Sequence, residues 1–297
     1  RRVAKALGNT KEEEQAFFEV MSNLDFLPNS PTLMNAGKPG GQLSACFVID
    51  VPDSMEGICD ALKKQMLIHK SGGGTGFNFS KLRRKGAVVN STNGVASGPV
   101  SFMSLFNTAT DVVQQGGLRR GANMGILNCD HPDIEEFIKA KTEDDKLQNF
   151  NISVGITDSF MQKVKEDSSS REAKLFDLIA TKAWETGDPG LLFFDEINRC
   201  NTTPWLGPLE IVNPCGETPL YDGEACNLGS INLSNFVTAR FDSCLPLNSC
   251  IDLYRLTKVI STAVILLNRV IDKNNYPLPG IKEAVDRTRK IGLGIMG

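Results

Sequence analysis

The five residues Asn213-Pro214-Cys215-Gly216-Glu217 bring a carboxamide, a thiol and a carboxylate into one short stretch of chain. Proline and glycine on either side of the cysteine exclude a regular helix or a central strand there. A cysteine on such a loop acts through its thiolate, as a metal ligand or as a radical carrier. A neighbouring carboxylate takes a proton from a hydroxyl, and a carboxamide orients that hydroxyl by hydrogen bonding. Alternate side chains of an extended loop share a face, so Asn213, Cys215 and Glu217 are expected to point into one cavity. The competing reading is a structural cysteine in a turn, with Glu217 in solvent.

Other residues could join this chemistry. Cys226 follows in Glu224-Ala225-Cys226-Asn227-Leu228-Gly229-Ser230-Ile231-Asn232-Leu233, and Cys46 opens an apolar run. A small buried hydrophobe is the commoner role for either thiol taken alone. The eight cysteines include no C-x-x-C pair, and His69 and His131 are the only histidines. A zinc ribbon, a histidine-based metal site and a Ser/His/Asp triad therefore lack support, and no metal is expected. The run Gly72-Gly73-Gly74-Thr75-Gly76 has neither phosphate-loop spacing, and it reads as a turn allowing close backbone approach to a ligand. Gln115-Gly116-Gly117-Leu118-Arg119-Arg120-Gly121 sets two arginines among glycines, which suits contact with a phosphate or a base. Ser30 offers a hydroxyl in a stretch, 28–46, that reads as loop.

These groups need a scaffold. The chain has 297 residues, 41% hydrophobic, with a net charge of -3. That is globular composition, without a basic footprint for nucleic acid or an anionic membrane. No apolar run approaches the roughly 20 residues of a membrane span, and no signal segment follows Arg1-Arg2. A cytoplasmic protein with reduced thiols is expected. The capping box Thr10-Lys11-Glu12-Glu13 predicts a helix through about residue 21. Further helices are predicted from Asp53 to about residue 70, and over 101–114, 158–166, 171–186 and 251–272. Strands are predicted over 46–49, 152–156 and 191–194. The alternation indicates an α/β fold, barrel-like or wound. The abrupt ends at Arg1 and Gly297 are those expected of a fragment.

Taken in order, Pro28-Asn29-Ser30-Pro31-Thr32-Leu33-Met34-Asn35-Ala36-Gly37, Ser44-Ala45-Cys46-Phe47, Gly72–Gly76, Gln115–Gly121 and Asn213–Glu217 resemble the large catalytic subunit of ribonucleotide reductase. The pentapeptide and the Cys226 segment are most similar to the adenosylcobalamin-dependent class II enzymes. The resemblance implies part of a ten-stranded α/β barrel, with its C-terminal half beyond this chain. A helical segment, 1–25, would precede the barrel portion, 26–297. It implies reduction of ribonucleoside di- or triphosphates to 2′-deoxyribonucleotides for DNA synthesis, with adenosylcobalamin as cofactor.

The implied roles fall on matching positions. Cys215 would carry the thiyl radical, Glu217 would be the base for the 3′-hydroxyl, and Asn213 would hold a substrate hydroxyl. Cys46 and Cys226 would be the reducing pair that ends as a disulfide. Ser30, Ala45, Cys46, Gly74 and Asn213, Pro214, Cys215, Gly216 and Glu217 would contact substrate. Asp53, Ser54, Met55, Lys70, Arg83, Val89, Asn90 and Ser91 would bind a dNTP or ATP effector, and Gln115–Gly121 would relay its identity. A thioredoxin-type dithiol reductant and a homodimer are implied, with no nucleic-acid or membrane partner. The chain alone would be inactive. The rivals are a class I large subunit, served by a partner with a metal–tyrosyl radical, and a non-catalytic nucleotide-binding module.

Overall fold

A computed structural model describes residues 1–89, 93–113, 121–142, 146–238 and 250–297. The chain forms two compact units, Cys46–Glu224 and the paired segments Arg1–Ala45 and Ala225–Gly297.

The Cys46–Glu224 unit is built on five parallel strands in sequence order: Cys46–Val48, Gly74–Asn78, Asn123–Asn128, Phe150–Ile156 and Gly190–Phe193. Helices Met55–Lys70, Pro99–Val112, Ile134–Ile138, Asp158–Glu166 and Arg171–Thr186 lie in the crossovers, as parallel pairing requires. Gly74–Asn78 is buried at every position, and only the end residue Asn128 of Asn123–Asn128 is not, as in a sheet covered on both faces. Phe77, Phe79, Phe106 and Phe150 form a buried cluster with ring centroids 5.0–6.5 Å apart. A short antiparallel hairpin, Ile211–Val212 with Pro219–Leu220, carries the pentapeptide at its tip.

The other unit pairs the strand Phe26–Pro28 antiparallel to Ala225–Asn232, which in turn pairs parallel to Ile291–Met296. The long helix Leu253–Lys273 buries Val259, Ala263, Leu266, Leu267 and Val270 against Leu7, Phe17, Phe26 and Phe236. Arg269 reaches Glu13 at 2.6 Å, tying this helix to helix Lys11–Ser22. No helix among the described residues is long and apolar enough to cross a membrane.

Three local expectations change. Of the glycine run 72–76 read as a turn, residues 74–76 belong to the strand Gly74–Asn78. Ser30 opens a short helix, Ser30–Asn35, because Asn29 caps it by accepting from the Thr32 amide at 2.9 Å and Pro31 fits its first turn. Phe194 starts helix Phe194–Arg199 instead of ending the preceding strand.

Candidate functional site

The pentapeptide is held as a turn. The Gly216 amide donates to the Asn213 carbonyl at 3.0 Å, with Pro214 inside the turn and Gly216 at φ +86°. The fully buried Asn213 side chain closes the loop, accepting from the Thr218 amide at 2.9 Å. Its Nδ2 also donates to Cys46 Sγ at 3.4 Å. Cys215 and Glu217 are exposed. The expected sharing of one face thus fails for Asn213: alternation needs extended backbone, and the turn sends its carboxamide inward to Cys46.

The strand Gly74–Asn78 forms the seat of this hairpin. Its residues alternate across the sheet, so Gly74, Gly76 and Asn78 share a face. A Cβ on Gly76 would lie 1.9 Å from the Val212 carbonyl oxygen, and one on Gly74 would lie 2.8 Å from Pro214 Cγ. Asn78 Nδ2 donates to the Glu210 carbonyl at 2.8 Å. From the next strands, Asn151 Nδ2 donates to the Pro214 carbonyl at 2.8 Å, and Met124 lies beneath Gly216. The close backbone approach read from the glycine run is therefore made by the protein's own loop. Asn78, Met124 and Asn151 were not singled out from the sequence, since nothing local to them signals a segment that returns so much later.

Cys226 lies buried on the strand Ala225–Asn232. The Asn29 amide donates to the Leu228 carbonyl at 2.8 Å, which sets the exposed Ser30 beside that strand. Ala45 is buried, and the preceding Leu43 and Ser44 are fixed by Asn274.

A second feature is a cavity of about 650 Å³ at the start of helix Met55–Lys70. Asp53, Ser54, Met55, Arg83 and Val89 all line it. Arg83 Nε donates to Asp53 Oδ2 at 2.9 Å, and the Ser54 hydroxyl caps the helix by accepting from the Gly57 amide at 3.0 Å. Glu56, Leu82, Ser97 and Phe102 are among the further wall residues, which the sequence did not mark. Lys70 stands at the opposite end of this 16-residue helix and is not brought to the cavity. Asn90, Ser91 and Gln115–Arg120 lie outside the described residues; Gly121 is buried against His69 and Thr110.

Fold and site together define a mixed α/β protein that displays a thiol on a turn laid across parallel strands. Residues 44–172 and 168–297 match the family profile described as ribonucleotide reductase, barrel domain, and residues 1–41 match ribonucleotide reductase, all-alpha domain. The chain belongs to the ribonucleotide reductase family. It is 54% identical over 296 residues to the vitamin B12-dependent ribonucleoside-diphosphate reductase of Thermoplasma acidophilum, covering 95% of this chain and 38% of that one. It is 45% identical over 305 residues to the protein of the same description from Mycobacterium tuberculosis, covering 98% and 43%. The ribonucleoside-diphosphate reductase large subunit of Vaccinia virus is 30% identical over 326 residues, covering 94% and 41%. The chain thus spans about two fifths of the length of these relatives.

Proposed function

We propose that this chain is the radical-bearing part of an adenosylcobalamin-dependent ribonucleoside-diphosphate reductase. The observation that carries the reading is the Cys215 turn, which exposes one thiol while its Asn213 side chain bonds the Sγ of a second, Cys46. The higher identity to relatives named as vitamin B12-dependent favours this class over one relying on a radical-generating partner subunit.

When bound, adenosylcobalamin supplies the radical equivalent that leaves Cys215 as a thiyl. The thiyl removes the 3′-hydrogen atom of the ribose, Glu217 takes the 3′-hydroxyl proton, and the 2′-hydroxyl departs as water. Cys46 and Cys226 give two electrons and two protons, one proton leaving with the 2′-hydroxyl as water and the other joining the electrons at C2′ as its new hydrogen. The pair ends as a disulfide, and Glu217 returns its proton to the 3′-oxygen. Cys215 then returns its hydrogen to C3′. Asn213 and Pro214 shape the substrate side of the turn. Ser30, Ala45 and Gly74 are further proposed contacts.

The cavity at Asp53, Ser54, Met55 and Arg83 is proposed as the dNTP effector site, supported by its helix start and its arginine. A thioredoxin-type dithiol is proposed to restore the reducing pair.

The test is an assay of the full-length protein with a ribonucleoside diphosphate and dithiothreitol, with and without adenosylcobalamin. Deoxyribonucleotide should form only with the cofactor. Cys215→Ser and Cys46→Ser should each abolish it. Activity that ignores adenosylcobalamin and requires a second protein would overturn the proposal.

A further inference from the structure

Behind the seat of the Cys215 hairpin lies a buried polar cluster. Thr75 and Asn123 are register partners on adjacent parallel strands. The Thr75 hydroxyl donates to Asn123 Oδ1 at 2.7 Å. Asn123 Nδ2 donates to Thr110 Oγ1 at 2.9 Å, and Gln65 Nε2 donates to the same oxygen at 2.6 Å and to the Phe106 carbonyl at 3.0 Å. With its own proton given to Asn123, the Thr75 oxygen is left to accept, so the 3.0 Å contact to His69 puts a proton on Nε2. His69 Nδ1 is then an acceptor, buried beside Gly121, and like Gln65 Oε1 it has no hydrogen-bond partner among the described residues. Gln65, His69, Thr75 and Asn123 are wholly buried, and Thr110 is nearly so.

Two helices and two strands contribute to this cluster, and strand alternation gives it its position. Thr75 is flanked by Gly74 and Gly76, and Asn123 is followed by Met124. Those three residues lie on the other face, under Pro214, Val212 and Gly216. The cluster therefore pins both strands at the level where the hairpin rests. Apolar contacts would hold the strands together, but they tolerate sliding. Directional bonds between buried groups fix depth and register, and breaking one leaves a costly orphan.

We propose that His69 and Thr75 are positioning residues for Cys215, holding the strand seat so that the turn presents its thiol in one geometry. Neither residue touches the pentapeptide. Both act through Gly74, Gly76 and Met124. The inference rests on the reading of Cys215 as the reacting thiol.

The experiment uses the full-length enzyme and two readouts: steady-state kinetics on a ribonucleoside diphosphate, and the rate of Cys215 alkylation by iodoacetamide followed by peptide mass mapping. Thr75→Val removes the hydroxyl at nearly constant volume, and Thr75→Ser keeps it. Thr75→Val should lower kcat by about tenfold or more with KM within about twofold, because a small misplacement of a reacting group costs rate before binding. It should also shift the alkylation rate at least about threefold, and Thr75→Ser should restore both values. Should Thr75→Val fail to fold, the pair His69→Gln, which keeps a donor near Nε2, and His69→Leu, which does not, poses the same question. Unchanged kcat and alkylation in Thr75→Val and His69→Leu would overturn the proposal. So would losses that Thr75→Ser and His69→Gln share in full. A wild-type enzyme that reduces no ribonucleotide, but whose Cys215 alkylation still depends on the Thr75 hydroxyl, would sink the functional reading and leave the positioning role standing.

Discussion

His69 is a titratable group buried among neutral partners, and its own chemistry sets a pH limit. Burial pushes its pKa down from the ordinary 6.5 to about 4, against a smaller upward pull from the Asn123 side chain in the same cluster. Between those two values the unfolded chain binds the proton and the folded one refuses it. Stability is therefore greatest above pH 6.5, falls as the pH drops toward 4, and levels off below that. The full loss amounts to roughly 3 kcal/mol. Denaturant midpoints measured from pH 7 to pH 4 on wild type and on His69→Gln isolate the effect from the carboxylates. The wild type should lose stability over this window faster than the variant, which has no proton to take. Parallel curves would mean that His69 is protonated in the folded state. Gly76 sets a second limit at this scale. A Cβ there would meet the Val212 carbonyl oxygen at 1.9 Å, a backbone atom that cannot swing away as the end of a side chain could. Gly76→Ala should cost about 2 kcal/mol or more in stability, and it should speed Cys215 alkylation by lifting the hairpin from its seat.

At the scale of elements, the sequence is most readable where the signal is local. Thr10, Ser54, Ser170 and Asp252 each cap a helix by accepting from the amide three residues on, and each helix lies close to its predicted span. The stripe along Leu253–Lys273 is equally plain, and it makes a direct prediction. Leu267 is fully buried in the core of its unit. Leu267→Ala should destabilise the protein by about 2–5 kcal/mol, seen as a lower denaturant midpoint with an unchanged slope. The strands Gly74–Asn78 and Asn123–Asn128 are harder to read. Glycine and asparagine are poor strand formers, and these positions hold them because of what crosses or backs the sheet. Gly74 and Gly76 make room for a hairpin far along the chain, and Asn123 completes a cluster drawn from four elements. The same reason explains the site. The pentapeptide announces its chemistry by composition, whereas the turn that aims Asn213 at Cys46 and the support from Asn78, Met124 and Asn151 exist only in three dimensions. Lys70 shares a helix with Met55, but a helix holds its two ends apart, so the cavity at its start does not include Lys70.

At the scale of the molecule, family membership and coverage bear on what these residues achieve by themselves. The pentapeptide, Cys46, Cys226 and the Asp53–Arg83 cavity all fall within a chain that spans 38% and 43% of two close relatives. Ribonucleotide reduction as proposed needs a ribose held against Cys215 and shielded from water, since a thiyl open to solvent is quenched before it abstracts hydrogen. In this chain both Cys215 and Glu217 are exposed. Two outcomes follow. The full-length protein, given adenosylcobalamin and one equivalent of ribonucleoside diphosphate without external reductant, should form a Cys46–Cys226 disulfide in step with deoxyribonucleotide, seen by non-reducing peptide mapping. The 297-residue chain alone should form no product, with or without excess dithiothreitol, and without reductant it should not form that turnover-dependent disulfide. Product from the short chain would mean that the Cys215 turn and its seat supply the shielding unaided. A different cysteine pair in the full-length protein would instead remove Cys46 or Cys226 from the reducing role while leaving the Cys215 turn in place.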